Sequence, residues 1–280
     1  MKATTSVRRR LVGAALRRYR ENADYSLEDA ALLLGCDKSK ISRIESGDRG
    51  IRAAELRELL IEYGAPAPGQ DILLSIAWQR GDYGGWANYR DVLPRAFLDY
   101  LIVEAIASEI TTYQAQQVPQ LLQTEAYADA VITASADVPT AWRDKVSESV
   151  LARQRIVLTD RESPVDVLLA ESALHQPVGS RQVMRAQLVR LAHSAVNDPN
   201  VTIRVIPYHA RANPGIGLGS PTLVRLDGLS DAGVVHLAGL AGGTLIDDPA
   251  TVRAYDGALG KVRASALSPP ESARLIAGLT

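Results

Sequence analysis

The segment 25–47 constrains the fold of this chain more strongly than any other part of its sequence. Ser26 is a favourable residue for a helix N-cap, and Asp29 lies three residues later in the capping-box position. An apolar face with helical spacing follows, formed by Leu27, Ala30, Ala31 and Leu34. Gly35 comes next and can adopt the left-handed conformation that ends a helix. The segment therefore predicts a short helix followed by a tight turn.

A second short helix is predicted over 38–46, where Asp37 can cap the start and Gly47 can end the helix. Ile41 and Ile44 are three residues apart, so both side chains are expected to point inward. The side chains that remain outward are polar or basic, namely Lys38, Ser39, Ser42 and Arg43, with Lys40 at the side. The pattern thus locks two helices together and leaves a basic row on the second one.

A basic row of this kind suits the major groove of DNA. Arginine can donate two hydrogen bonds to guanine there, and lysine and serine reach bases or phosphates. A helix N-terminus also favours an approaching phosphate. The alternative is an ordinary helical hairpin with a solvated basic face. The small Ala31 at the helix crossing, the turn at Gly35 and the two caps favour DNA binding over that alternative.

Residues 7–63 resemble the Cro and phage-repressor type of helix-turn-helix, the XRE family, and the stretch Ile-Ser-Arg-Ile-Glu-Ser-Gly at 41–47 carries the resemblance. The resemblance implies that Arg20 in the first helix pairs with Glu45 at the end of the recognition helix. It places base contacts on Lys38, Ser39, Ser42 and Arg43, with Lys40 beside them, and phosphate contacts on Arg49 and Arg52. The family usually has Gln at the first residue of the second helix. This chain has Leu27 there, so that DNA contact does not carry over.

Charge is distributed unevenly along the chain, whose net charge is only −1. Residues 1–66 contain 13 Lys and Arg against 10 Asp and Glu, a net of +3, which leaves −4 for residues 67–280. Such asymmetry suits a DNA-binding head on an acidic body. For any single arginine of the first helix, contact with a phosphate and a solvated helix face are equally supported. These arginines are Arg8, Arg9, Arg10, Arg17, Arg18 and Arg20.

Several classes of site find no support in the sequence. Cys36 is the single cysteine, so an intrachain disulfide is excluded, and a small buried residue is favoured over a redox switch. A secretory signal and a long apolar run are both missing, so a cytoplasmic protein without a membrane span is expected. Neither a metal, a cofactor nor an enzymatic activity is predicted, because no hydrolase elbow appears and the histidines are far apart: His175, His193, His209 and His236.

The patterns divide the chain into a helix-turn-helix domain at 1–68, a helical linker at 69–85, and a regulatory and dimerisation domain at 86–280. The glycine- and proline-rich stretch 64–69 marks the first boundary. Further helices are predicted at Val7–Asn22, 52–63, 71–80, 94–109, 123–134, 142–158, 180–195, 249–265 and 270–279. Short β-branched runs predict strands at 165–170, 201–207, 222–226 and 234–237. The predicted fold class is α+β, with an N-terminal all-α, lambda-repressor-like domain followed by a mixed α+β domain.

The body also resembles a family, the DUF5753 domain that follows an XRE-type head in Scr1-type, antitoxin-like regulators of actinobacteria. The stretches that carry the resemblance are 86–94, 118–124 with Tyr127 and Ala128, 153–154, 201–207, 239–243 and 266–272. Gln120 stands where the family has Gly. The bias to Arg over Lys and the abundant Ala also fit a GC-rich actinobacterial coding sequence.

Polar residues interrupt the apolar helices of the body at Glu104, Glu109, Tyr113 and Arg153. A buried Glu–Arg network is the favoured interpretation and a ligand pocket is the alternative, because both use the same residue types. The aromatic residues nearby fill the core by default or line the same pocket. The candidate ligand pocket therefore consists of Trp86, Tyr89, Tyr100, Glu104 and Arg153.

The sequence and its resemblances together predict a homodimeric, sequence-specific regulator of transcription that binds double-stranded DNA. Two heads would address half-sites about one helical turn apart, roughly 34 Å. The body would dimerise and sense a small-molecule effector or a partner. The alternative, implied by the resemblance, is an antitoxin-like interaction module that a small acidic neighbouring protein controls.

Overall fold

The N-terminal part of the molecule is a bundle of short helices. A computed structural model describes residues 7–77, 84–135, 138–210, 213–227 and 230–280. The helices of the bundle are α1 (Val7–Asn22), α2 (Leu27–Leu33), α3 (Lys38–Glu45), α4 (Ala53–Glu62) and α5 (Ala67–Ala77). Each turns an apolar stripe towards a common core, because Leu, Ile and Ala recur in it at helical spacing. The predicted helices α1 to α4 are confirmed, with ends that differ by at most one residue.

Helix α5 corrects the predicted break at 64–69 and the predicted helix start at residue 71. Pro68 lies in its first turn, where a helix does not need the amide hydrogen that proline lacks. Gly69 is buried against α1, since a Cβ atom there would lie 2.6 Å from the hydroxyl oxygen of Tyr19. The helix packs on α1 and α4. Its predicted end at residue 80 lies outside the described residues, and the domain boundaries at 68 and 85 stay predictions.

The C-terminal part is built on a mixed sheet, which confirms the predicted α+β class. Its strands are β1 (Glu109–Gln114), β2 (Val165–Ala170), β3 (Val201–Ile206), β4 (Pro221–Leu226), β5 (Ser230–Leu237) and β6 (Thr244–Ile246). Their order in the sheet is β3-β2-β1-β4-β5-β6. The first three strands are parallel to each other, and β4, β5 and β6 are added in antiparallel pairs. Strand β1 is therefore central, between parallel β2 and antiparallel β4.

Helices cover both faces of this sheet. They are α6 (Arg95–Glu104), α7 (Glu125–Ala134), α8 (Arg143–Gln154), α9 (Glu171–His175), α10 (Arg181–Asn197), α11 (Pro249–Ser265) and α12 (Pro269–Ala277). Helix α11 covers one face, where its Val252 and Leu259 pack with Leu168 of β2. Helices α10 and α12 pack on β3 from the other side, where Leu188 and Ile276 join the main core.

The sequence patterns misassign part of the body. The predicted helix at 94–109 ends at Glu104, and the unpredicted strand β1 begins five residues later. Its β-branched and aromatic residues, Ile110 to Tyr113, favour an extended backbone over a helix. Strand β6 is only three residues long, too short to show a period. The predicted helix at 142–158 becomes a π-helical turn after Gln154.

Candidate functional site

The helix-turn-helix is assembled by the local contacts that the sequence predicts. The capping box is confirmed, because the Asp29 amide donates to Ser26 Oγ at 3.1 Å and the Ser26 amide donates to Asp29 Oδ2 at 2.8 Å. Ala30 and Ala31 are buried where the helices cross. Gly35 has a φ of +56°, the left-handed value that the turn after α2 requires.

Helix α3 lies directly on α1. Gly13 of α1 permits this approach, since a Cβ atom there would lie 2.4 Å from the backbone oxygen of Ile44. Ile41 and Ile44 are buried as predicted. Gly47 ends the helix with a φ of +78°. The predicted side-chain cap at Asp37 is wrong: this residue occupies the N-cap position, but its side chain accepts no hydrogen bond from the first turn.

A buried ion pair joins α1 to the end of α3. Arg20 Nε donates to Glu45 Oε1 at 2.6 Å, and Arg20 Nη2 donates to Glu45 Oε2 at 2.9 Å. The remaining Nη1 donates to the carbonyl of Tyr25 at 2.7 Å. The hydrogen bond to Glu45 raises the pKa of Arg20 above its ordinary value. The pair that the resemblance implies is therefore present, and it fixes the orientation of α3.

The outer surface of α3 is polar and exposed. The exposed candidate residues are Lys38, Ser39, Ser42 and Arg43 on the helix, and Arg49 and Arg52 in the segment that follows it. Arg43 Nε donates to the carbonyl of Ser39 at 3.1 Å, so its guanidinium lies along the helix. Lys38 forms an exposed ion pair with Glu28 of α2. All six side chains are therefore accessible, and their contact with DNA stays a prediction.

Lys40 differs from its neighbours in this row. Its ammonium group donates to Glu55 Oε1 at 2.7 Å, and its side chain is only 18% exposed. Arg52 Nη2 donates to the same carboxylate at 2.6 Å. Both hydrogen bonds lower the pKa of Glu55, to about 2, and the bond from Arg52 has the larger effect. Lys40 therefore ties α3 to α4. Leu27, which stands where the family has Gln, is half-buried against the core.

Two arginines of α1 contact the body. The sequence predicts either phosphate contact or a solvated helix face for them, and neither interpretation includes this contact. Arg10 donates from Nε and Nη2 to the two carboxylate oxygens of Asp247, each at 2.8 Å. Arg8 Nη1 donates to Asp99 Oδ1 at 3.4 Å, and its Nε and Nη2 donate to the carbonyl of Ile76. These two side chains therefore join the helical head to the body.

A cleft of about 760 Å³ opens at one end of the sheet, where β1 ends and antiparallel β4 begins. Side chains alternate along a strand, so a single face of the sheet forms its floor. The floor residues are Ile110, Thr112 and Gln114 from β1, Thr222 from β4 and His236 from β5. The hydroxyl oxygens of Thr112 and Thr222 are 3.0 Å apart and share a hydrogen bond. The walls include Phe97 and Tyr100 of α6, Val131 and Ala134 of α7, and Arg153 of α8.

A buried charge network forms one wall of the cleft. Arg153 donates from Nε and Nη2 to the two carboxylate oxygens of Glu104, at 2.5 and 2.6 Å. It also donates to the Tyr100 hydroxyl at 3.0 Å and to Gln120 Oε1 at 2.6 Å. Burial alone would lower the pKa of Arg153, but the Glu104 carboxylate raises it above its ordinary value. The favoured Glu–Arg network is therefore present, and its charges balance each other.

His236 forms the end of the cleft next to this network. Its ring stacks on Tyr100, with centroids 3.9 Å apart and planes inclined by 12°. Its Nε2 donates to the Gly242 carbonyl at 3.0 Å. Burial lowers the pKa of His236, so the ring is neutral at pH 7. A Cβ atom on Gly243 would lie 2.5 Å from Nε2, so the loop after β5 closes directly over the ring.

Two family descriptions match the chain. "Domain of unknown function (DUF5753)" matches residues 97–278, which is more than half of the chain. The chain belongs to the DUF5753 family. "Helix-turn-helix domain" matches residues 11–71, which include α2 and α3, and such a domain indicates DNA-binding regulation. No curated protein and no solved structure matches the chain. The two matches confirm a helix-turn-helix head followed by a DUF5753 domain.

Only some of the residues predicted to form a ligand pocket lie at the cleft. Tyr100 and Arg153 line the cleft, and Glu104 lies behind them as the partner of both. Trp86 and Tyr89 do not line it. Trp86 is buried, and its ring centroid is 6.0 Å from that of Tyr89, so both aromatic residues belong to the core, which is the default interpretation.

Two polar residues that the sequence groups with the network lie elsewhere. Glu109 is exposed at the start of β1. Tyr113 belongs to the cluster on the α11 face of the sheet, where a Cβ atom on Gly215 would lie 2.2 Å from its ring. The grouping of these two residues with Glu104 and Arg153 is therefore wrong. It assumes a helix through 109, whereas the strand sends alternate side chains to opposite faces.

Sequence reasoning missed the floor of the cleft. Thr112, Gln114, Thr222 and His236 line it, and none of them was a candidate. Thr112 and Gln114 are two residues apart, so they lie on the same face of β1. The sequence shows no polar alternation that would mark this face, because Ile110 on it is apolar and Thr111 on the opposite face is polar.

The described part of the chain contains no group of three or more His, Cys, Asp and Glu side chains that could hold a metal ion. None of its helices combines the length and the apolar character that crossing a membrane requires. Cys36 is half-buried and packs against the core of the head, in agreement with a small packing residue.

Proposed function

We propose that the chain is a sequence-specific, DNA-binding regulator of transcription, not an enzyme, and that it acts in the cytoplasm as a homodimer. The observation that carries this proposal is the exposed row on α3, held in place by the buried pair of Arg20 and Glu45. A helix that is locked on its apolar side and polar on its outer side can enter the major groove as a rigid unit.

The exposed residues divide into two roles. Ser39, Ser42 and Arg43 lie on the outer face of α3, where they would reach base edges, and base contacts determine specificity. Arg49 and Arg52 follow the helix, where they would contact phosphates and fix the position of the head. Lys38 would exchange its exposed partner Glu28 for a phosphate or a base, at little cost because surface ion pairs are weak.

Dimerisation would follow from the way such heads read DNA. One short helix contacts only a few base pairs, and two heads related by a two-fold axis address two half-sites about 34 Å apart. We assign dimerisation to the DUF5753 domain. Sedimentation of the purified full chain tests this part of the proposal, for which a monomer at all concentrations would be the contrary result.

The cleft in the DUF5753 domain supports control by a small molecule. Its volume of about 760 Å³ is typical of small-molecule sites, which measure roughly 300–1,000 Å³. A surface that captures an acidic protein would need a row of free basic groups, whereas Arg153, the guanidinium among the described lining residues, is already neutralised by Glu104. The cleft therefore favours a small-molecule effector over the small acidic partner protein.

Genomic immunoprecipitation of the protein, followed by binding to the recovered sites, tests the main proposal. Arg43→Ala should weaken binding to the preferred site by about 1–3 kcal/mol and relax specificity at one base pair. Arg49→Ala should weaken binding to all sequences alike and reduce the salt slope by about one. Arg57→Ala, an exposed arginine on α4, is the matched control. Undiminished affinity and selectivity in Arg43→Ala would contradict the proposal.

A further inference from the structure

The floor of the cleft is unusual for the inner face of a sheet. Thr112, Thr222 and His236 are each at most 6% exposed, on central strands where apolar side chains would pack best. Burying polar groups reduces stability unless they are hydrogen-bonded. Here the two threonines bond each other, and His236 bonds the Gly242 carbonyl, so the groups are held in fixed positions along an open cleft. Fixed polar groups beside an open volume are the usual arrangement of a binding site.

The lining carries no net charge within the part of the chain that the structure describes. Among the described lining residues, the ionisable ones are Tyr100, Arg153 and His236. Arg153 is neutralised by Glu104, and burial raises the pKa of Tyr100, so its hydroxyl stays protonated. Burial lowers the pKa of His236, so its ring stays neutral. A charged ligand would lose its hydration here without meeting a free counter-charge, which disfavours ions.

The uncharged polar groups of the described lining are amides and hydroxyls in equal number. Five glutamines contribute to the cleft: Gln114, Gln116, Gln117, Gln120 and Gln176. A glutamine amide offers two donors and one acceptor, so it pairs with an amide or a hydroxyl group of a ligand. The opposite wall is apolar, with Phe97 beside the stacked rings of Tyr100 and His236, and with Val131 on α7. This wall suits a flat or apolar portion of the same ligand.

We propose that the cleft binds an uncharged small molecule that combines amide or hydroxyl groups with a flat apolar part. This site is the effector site of the proposed regulator, and in that role it rests on the proposed function. The path from the cleft to the head is short. Ala238 lines the cleft, the loop after it bonds His236 through Gly242, and the chain continues through β6 to Asp247, the partner of Arg10. A ligand that displaces His236 would therefore disturb the loop that leads through β6 to Asp247.

Matched trios of ring compounds test the chemical class of the ligand. Each trio shares one ring and differs only in its head group, as in 3-phenylpropanamide, 3-phenylpropanoate and 3-phenylpropylamine. Binding of a set of such trios to the full chain is measured by saturation-transfer NMR. We expect the compounds that bind to be the amides. A preference for carboxylates or amines, or no binding in any group, would overturn the proposal.

Two neighbouring substitutions on α7 locate the binding site. Ala134 is exposed at the rim and lines the cleft, so Ala134→Trp should fill the opening and abolish binding without disturbing the core. Thr133 is the adjacent exposed residue and does not line the cleft, so Thr133→Trp is the matched control and should bind as wild type does. Equal binding by all three proteins would place the compounds elsewhere and overturn the proposal. Equal melting temperatures of the two variants establish that both are folded.

A third variant tests the polar floor. Thr222→Val keeps the shape of the side chain and removes the hydroxyl group, so it should weaken the binding of the amide compounds by about tenfold. An unchanged affinity would argue against recognition by the floor. These measurements involve no DNA. If Arg43→Ala binds DNA as wild type does while the amides still bind, the proposed function is wrong and the ligand site stands. If Arg43→Ala weakens DNA binding but no amide binds, the ligand site is wrong and the proposed function stands.

Discussion

Arg10 and Asp247 are 237 residues apart in the chain and form a two-pronged ion pair with both hydrogen bonds at 2.8 Å. Arg10 also lies against the end of the recognition helix, because a Cβ atom on Gly47 would be 2.9 Å from its Cγ. One side chain thus lies between the loop ahead of α11 and Gly47, the residue that ends the turn after α3.

Asp247→Asn should loosen the head from the body. The loss of global stability should be about 1 kcal/mol or less, because Arg10 is 34% exposed and solvent screens the pair. The clearer effect should be faster amide exchange in the first turns of α1, measured by hydrogen–deuterium exchange. Asp160→Asn is the control, since Asp160 forms an exposed pair with Arg155 far from the head. Identical exchange of α1 in wild type and Asp247→Asn would show that the pair does not anchor the head.

Arg20→Met should destabilise the head by about 3–5 kcal/mol, because it leaves the Glu45 carboxylate buried without a partner. The double variant Arg20→Met with Glu45→Leu should lose much less than the two single variants together, since no charge then stays unpaired. Urea unfolding of the four proteins measures the coupling. Arg17→Met removes an exposed pair with Glu21 and should change stability by no more than about 1 kcal/mol. Additive losses in the double variant would contradict the buried-pair argument.

The head was predictable because its determinants are local. The Ser26–Asp29 capping box, the left-handed Gly35 and the inward pair of Ile41 and Ile44 each depend on residues a few positions apart. Even here, tertiary contacts changed the outcome for one candidate. The spacing places Lys40 at the side of the outer row, but it does not predict that the Lys40 ammonium donates to Glu55 of α4 at 2.7 Å.

The cleft was only partly predictable because its residues meet across long separations. Glu104 and Arg153 are polar residues in apolar helices, Tyr100 is an aromatic candidate beside them, and the structure joins all three. Thr112 and Thr222 are 110 residues apart and meet only because β1 pairs with β4. Assigning β1 to the end of a helix hid its place in the sheet, and with it the face that Thr112 shares with Gln114. The partner of Arg10 was equally invisible, since no local pattern marks Asp247.

Gly13→Ala should displace α3 and weaken DNA binding. The new Cβ atom would lie 2.4 Å from the Ile44 oxygen, a backbone atom that cannot move aside without shifting the helix. Overpacking of this kind typically costs about 1–3 kcal/mol. Gly257→Ala in α11 is the matched control, because open space surrounds that position and helical Gly→Ala stabilises by roughly 0.5–1 kcal/mol. The melting temperature should therefore fall in Gly13→Ala and rise in Gly257→Ala. A higher melting temperature in Gly13→Ala would refute the close approach of α1 and α3.

His236 should make the stability of the DUF5753 domain depend on pH below neutrality. Burial lowers its pKa from the ordinary 6.5, so the unfolded chain binds the proton more readily than the folded chain does. Stability is therefore fully present above about pH 6.5 and falls as the pH drops towards the folded pKa, by at most about 1.4 kcal/mol per pH unit. His236→Gln should abolish this part of the loss, whereas His193→Gln, an exposed histidine in α10, should retain it. Urea unfolding between about pH 7.5 and 5.5 measures the slopes. Parallel slopes for wild type and His236→Gln would show that the ring carries its proton in the folded state, and the neutral lining of the cleft would then need revision.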